Sequence, residues 1–144
     1  FKAYGLKGHR HTIEIQEVLA EVAGKEAVVQ FTPHLLPVDR GILSTSYARP
    51  QKPVRESEVQ NLYRRYYEDE PFVRILNELP QIKHVRGTNY VDIYVTYDSR
   101  TNNIISISAI DNLVKGAAGQ AIQNMNLMLG LEETAGLKQV PLQP

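Results

Sequence analysis

The chain has 144 residues, enough for one domain with a core of its own and too few for two ordinary ones. Its 16 lysines and arginines balance 16 aspartates and glutamates, so no global field recruits nucleic acid or an anionic membrane, and any anion site must be local. Cysteine is absent, which excludes disulfides, cysteine-ligated zinc or iron–sulfur sites and a cysteine nucleophile within the chain.

From Thr12 onward, Ile15, Val18, Leu19 and Val22 recur at helical spacing, and Glu14 and Glu17 stand where the helix dipole favours acids. Thr12 is the natural N-cap and Gly24 the stop, which puts His9 and His11 in the loop against the positive end of the helix. Two strands are expected next, at 27–32 and 41–48, joined by a proline-rich segment, with Arg40 and Gly41 at the entrance of the second. "ARPQKPVRE" reads as an exposed connection. It leads into a helix capped by Ser57 and Gln60, with Val59, Leu62, Tyr63 and Tyr66 on one face, ended by Pro71.

"FVRIL" is a short apolar strand and "PQIKHVRGTN" a polar strand or loop with a glycine turn. The hairpin "NYVDIYVTYDSRTNNIISISAI" carries the strongest strand signal. Val91, Ile93, Val95 and Tyr97 alternate with Asp92, Tyr94 and Thr96, and Ile105, Ile107 and Ala109 repeat the pattern. A helix is expected over 112–129, with Val114, Ala118, Ala121, Met125 and Met128 on one side. Gly116 and Gly119 are anomalous there, since each costs about 1 kcal/mol relative to alanine inside a helix, and they imply close approach to the backbone. The tail "GLKQVPLQP" reads as a loose C-terminal extension.

Helix, strands, helix, strands, helix describes an α+β domain, 1–144, with a mixed, largely antiparallel sheet covered by helices. The strand–GxGxxG–helix unit of a dinucleotide fold is missing. No apolar run approaches the roughly 20 residues that span a bilayer, and the first residues lack the apolar core of a signal peptide, so a cytoplasmic protein is expected. The chain starts on Phe1 with no initiator methionine, as a piece of a larger polypeptide would.

The pair in "GHRHTIEI" admits several chemistries. A His-x-His pair can bind a transition metal, but no third histidine or carboxylate stands at ligand-like spacing, so no metal is expected. A histidine at a helix N-terminus is kept neutral and basic near pH 7, which suits a general base. The plain alternative, two solvent-facing loop residues, is the one residue physics alone favours. Arg10, Arg40 and Lys115 could assemble an anion pocket, although most such side chains hold surface pairs. The tyrosines and arginines of "NLYRRYYEDE" suggest a nucleic-acid face, but the neutral charge and the Glu68, Asp69, Glu70 run oppose it.

"KGHRHTIEI", "FTPHLLPVDRGIL", "GTNYVDI" and "AIDNLVKGAAGQAIQNMNLMLGL" resemble, in order, the C-terminal, substrate-side region of the N-acetyl-gamma-glutamyl-phosphate reductase family. Ile13 departs from the family's usual proline in "HTPEI", and isoleucine suits a first-turn position equally well. The resemblance implies an enzyme of arginine biosynthesis that reduces an acyl phosphate to an aldehyde with NADPH through a cysteine thioester. It also implies a fold like the C-terminal domain of glyceraldehyde-3-phosphate dehydrogenase-like enzymes, with the sheet at a homo-oligomer interface. Cysteine and nucleotide-binding half would both lie upstream, so this substrate-binding and dimerisation domain would be inactive alone.

Carried over by motif, the catalytic base is His11, with His9 in reserve. Arg40, and after it Arg10 and Lys115, are candidates for the acyl phosphate or substrate carboxylate. Asn112, Gly116 and Gly119 match the family helix that returns to the cofactor. A non-catalytic module of the same fold, and a reductase for the one-carbon-longer aminoadipyl analogue, are the alternatives.

Overall fold

A computed structural model describes residues 1–142, which fall into two compact units, Phe1–Asp39 and Arg40 onward. In the first unit a two-residue strand, β1 (Lys2–Ala3), pairs antiparallel with β2 (His34–Leu35), and between them lies helix α1 (Arg10–Ala23). Gly24 ends α1 as expected, adopting a left-handed φ of 64° and donating its N–H back to the last turn. The start differs from the expectation. His9, not Thr12, is the N-cap, because its ring Nδ1 accepts the backbone N–H of His11 while Thr12 N–H bonds the His9 carbonyl at 3.0 Å. The strand expected at 27–32 does not form; Val29 N–H is held by the Gln16 side chain at 3.2 Å instead of by a neighbouring strand.

The second unit is built on a four-stranded sheet. Its strands are β3 (Ile42–Ala48), β4 (Val73–Ile75), β5 (Val91–Asp98) and β6 (Asn103–Ile110), in the order β3-β6-β5-β4. Three strands run antiparallel and β4 joins β5 in parallel, so the sheet is mixed and largely antiparallel, as expected. Helix α2 (Glu56–Tyr66) packs on β5 through the buried Val59, and α3 (Gly119–Met128) follows a wide π-type turn over Val114–Ala118. The cap of α2 is made by Glu58, whose carboxylate accepts the Arg55 backbone N–H at 2.8 Å, not by Ser57. Leu62 and Tyr66 stay exposed, so the apolar face of α2 narrows to Val59 and Tyr63. The "QIKHVRG" stretch forms a short 3-10 turn rather than a strand.

The register pairs Ile93 with Ser108 and Ser108 with Ser44, and it sets Tyr94 beside Ile107 and Ile107 beside Thr45. One sheet face therefore carries Ile93 and Val95, both buried, among serines of β3 and β6. The other carries Ile105, Ile107, Leu43 and Tyr47, and of these Leu43 and Tyr47 are half or more exposed.

Two further expectations are corrected. The apolar side expected for this helix does not face the core along α3, where Met125 and Met128 are 48% and 85% exposed while Gly119, Gln123 and Asn126 are buried. Gln123 is satisfied by Asn89, Lys115 and Glu133, and Asn126 by the carbonyls of Glu133 and Ala135, which offsets the penalty that ordinarily keeps such side chains outside. The C-terminal tail is docked as far as it is described: Leu137 is buried, and Leu142 donates its N–H to the Arg86 carbonyl at 2.8 Å. Gln143 and Pro144 lie outside the described residues.

Candidate functional site

The first unit presents the histidines. His9 is spent on structure, since its Nδ1 must be unprotonated to accept the His11 N–H at 3.2 Å, and Tyr4, His11 and Phe31 stack edge-on around its ring. His11 occupies the first turn of α1 with its side chain 49% exposed, and its Nε2 lies 3.8 Å from the Glu14 carboxylate one turn on. That separation exceeds a hydrogen bond. Arg10 opens the same turn and is exposed.

The second unit gathers its candidates where β6 ends. Asp111 is fully buried and serves four donors at once. Arg40 Nη2 reaches it at 2.8 and 2.9 Å, and it accepts the backbone N–H groups of Gly87 at 2.6 Å, Leu113 at 2.8 Å and Val114 at 2.9 Å. Burial alone would raise its pKa, but the Arg40 guanidinium and then the Gly87, Val114 and Leu113 amides outweigh that, and the carboxyl titrates below its ordinary 3.8. Asp111 thus caps the turn that carries Lys115. Asn112 Oδ1 accepts the Gly41 N–H at 2.6 Å, so two consecutive side chains continue the β3–β6 pairing beyond its last residue pair, Ile42 and Ile110.

Lys115 turns elsewhere. Its Nζ donates to Gln123 Oε1 at 2.8 Å and stands 5.5 Å over the Phe72 ring. Partial burial lowers its pKa, opposed by the charges of Glu133 and Glu70. Gln123 Oε1 also accepts from Asn89 at 2.8 Å, and Gln123 Nε2 donates to Glu133 at 2.6 Å. Of the two glycines, Gly119 answers to this packing. A Cβ there would collide with Asn89 Oδ1 and lie 2.9 Å from the Val114 carbonyl oxygen. Gly116 is under no such pressure, for the nearest atom to a Cβ would be Ile110 Cδ1 at 3.7 Å. A second buried carboxylate, Asp92, is paired with Arg74 at 2.6 Å, and that guanidinium lies over Tyr90.

Sequence reasoning picked out Arg40, Asn112 and Lys115 but missed Asp111, Asn89, Gln123 and Glu133, which hold them. Asp111 carried a readable signal, an aspartate between a strand and a helix start. The buried amides carried none, because an asparagine or glutamine on a helix reads as solvent-facing. Among the described residues no helix is long and apolar enough to cross a membrane.

The family model for the dimerisation domain of semialdehyde dehydrogenases matches residues 1–112. N-acetyl-gamma-glutamyl-phosphate reductase of Alkaliphilus metalliredigens is 57% identical over 99% of this chain, and that of Citrifermentans bemidjiense 55% identical over all of it. In each case the chain spans 42% of the relative's length. Among solved structures, aspartate semialdehyde dehydrogenase II from Vibrio cholerae superposes with a TM-score of 0.70 at 19% identity, over 90% of this chain and 42% of that one, which establishes a shared fold. The resemblance seen in the sequence and the expected fold are both confirmed.

Proposed function

Because the chain belongs to the semialdehyde dehydrogenase dimerisation-domain family, we propose that it is the substrate-side and dimerisation part of an N-acetyl-gamma-glutamyl-phosphate reductase. On this reading residues 1–144 make up the substrate-binding and dimerisation region of a longer cytoplasmic polypeptide of arginine biosynthesis. The remainder contributes the NADP-binding domain and a nucleophilic cysteine. The thiolate attacks the acyl carbon, phosphate leaves, the thioester is reduced, and collapse of the hemithioacetal releases the semialdehyde. NADPH, when bound, supplies the hydride.

The chain's own part in this chemistry is proton handling and anion binding. The observation that carries it is the division of labour between the histidines: His9 is locked as a cap, while His11 is accessible on the positive end of α1 with Glu14 beside it. His11 takes the thiol proton and returns it to the oxyanion, and Glu14 stabilises the imidazolium in between. Arg40 is steadied by Asp111 and still has donors to offer the phosphate or carboxylate of the substrate, with Arg10 and Lys115 as further cations. Two observations at the end of β6 support a nicotinamide contact: Asn112 uses only its oxygen on Gly41, which leaves its amino group to donate, and Gly116 is exposed with no side chain of its own.

The test uses the full-length protein and phosphate-dependent reduction of NADP with N-acetylglutamate semialdehyde. His11→Ala is expected to lower kcat by roughly 10²–10⁴-fold, the usual worth of a general base. His9→Ala should act mainly on stability. If His9→Ala removes turnover and His11→Ala spares it, the assignment fails. The aminoadipyl analogue, assayed beside it, is expected to be discriminated by about 1–3 kcal/mol, the worth of one methylene.

A further inference from the structure

The polar side chains under α3 form a connected set whose focus is one oxygen atom. Gln123 Oε1 accepts from both Lys115 Nζ and Asn89 Nδ2, each at 2.8 Å. The Gln123 amide is fixed from its other side by Glu133 at 2.6 Å, and Asn126 ties the Glu133 backbone carbonyl at 3.1 Å and that of Ala135 at 3.0 Å. Asn89, Gln123 and Asn126 are all buried, at 0, 6 and 2% exposure, so the arrangement is rigid and closed to competing water on its inner side. Gly119 is the space that lets Asn89 reach Gln123.

The chemistry of the acceptor matters. A carboxylate at the Gln123 position would orient Lys115 but cancel its charge. A neutral amide oxygen orients the ammonium through one of its three N–H groups and leaves both the charge and two donors for a further anion. Glu133 and Glu70 act on the lysine through space only, with no carboxylate in ion-pair contact among the described residues.

We infer that Gln123 is a positioning residue that holds the Lys115 ammonium, through an uncharged acceptor clamped by Asn89 and Glu133, in the orientation that binds the phosphoryl group of the substrate or free phosphate. This rests on the reading of Lys115 as a substrate-side cation, and the experiment separates the two.

In the full-length enzyme, the KM for inorganic phosphate is measured in the direction that oxidises the semialdehyde. Lys115→Met is expected to raise it at least tenfold, and Gln123→Met about tenfold with kcat within about twofold, the worth of one hydrogen bond to a charged group. The double variant should be no worse than Lys115→Met alone. An unchanged KM in Lys115→Met overturns the reading of the lysine. A raised KM in Lys115→Met, with Gln123→Met either silent or multiplying it independently, overturns the positioning role alone.

Should Gln123→Met not fold, Glu133 decides at a half-buried position. Simple electrostatics predicts that removing its charge lowers the KM for phosphate. Positioning predicts that Glu133→Ala raises it and that Glu133→Gln, which keeps the acceptor for the Gln123 amide, restores it. A lowered KM in Glu133→Ala overturns the inference.

Discussion

Asp111 shows how much one side chain can organise. It neutralises Arg40 and satisfies three backbone amides at the point where the sheet gives way to the π turn and α3. Replacing it with alanine leaves a largely buried guanidinium and orphaned N–H groups, and should destabilise the protein by roughly 3–5 kcal/mol in urea unfolding. The pH dependence follows from the direction of its shift. Its folded pKa lies below the unfolded value, so its contribution is complete above about pH 4 and is lost as pH falls through the folded pKa. Urea midpoints should therefore fall more steeply below pH 4 in the native protein than in Asp111→Asn. His9 makes a smaller, sharper case. His9→Ala removes the cap of α1 and should lower stability by about 1 kcal/mol, whereas His9→Asn, which can accept the same N–H, should restore most of it in thermal unfolding.

Among the elements, the segment from Asp111 to Met128 departs furthest from what periodicity suggests. Its two glycines lie three residues apart and have opposite reasons. Gly119→Ala forces a methyl against Asn89 and the Val114 carbonyl and should destabilise by about 1–3 kcal/mol. Gly116→Ala meets nothing closer than 3.7 Å and should stabilise by about 0.5–1 kcal/mol through helix propensity. If the backbone at Gly116 is where the cofactor comes close, the same variant should raise the KM for NADPH while the melting temperature rises. The strands were legible because alternation is a local property, and the hairpin from Val91 to Ile110 forms where the pattern puts it. The inner face of α3 was not, because the residues that make Gln123 and Asn126 acceptable in the interior are Asn89, Glu133 and two carbonyls supplied from other segments.

For the molecule as a whole, the proposed function assigns self-association to the sheet face bearing Leu43, Tyr47, Ile105 and Ile107. Leu43 and Tyr47 are 50% and 68% exposed on strand β3, which gives an apolar patch on an otherwise regular sheet. Glutamate at both positions should give the full-length protein a smaller mass than the native one by light scattering, with the circular dichroism of the fold unchanged. An unaltered mass would move the interface elsewhere. Turnover in such a variant would further report whether a single subunit carries a complete site.

The sequence by itself determined the fold class, the three helical regions, the hairpin, the end of α1 at Gly24 and the stretches that identify the family, because each depends on neighbours within a few residues. It also brought His9 and His11 into view together. Only the tertiary structure showed that His9 caps α1 while His11 stays accessible, and what Arg40, Asn112 and Lys115 rest on. Asp111 reaches Arg40 across 71 positions and Gly87 across 24, and Gln123 meets Asn89 across 34. Pairings at that distance leave no periodic trace, since they follow from the register in which β3, β5 and β6 align rather than from spacing along the chain.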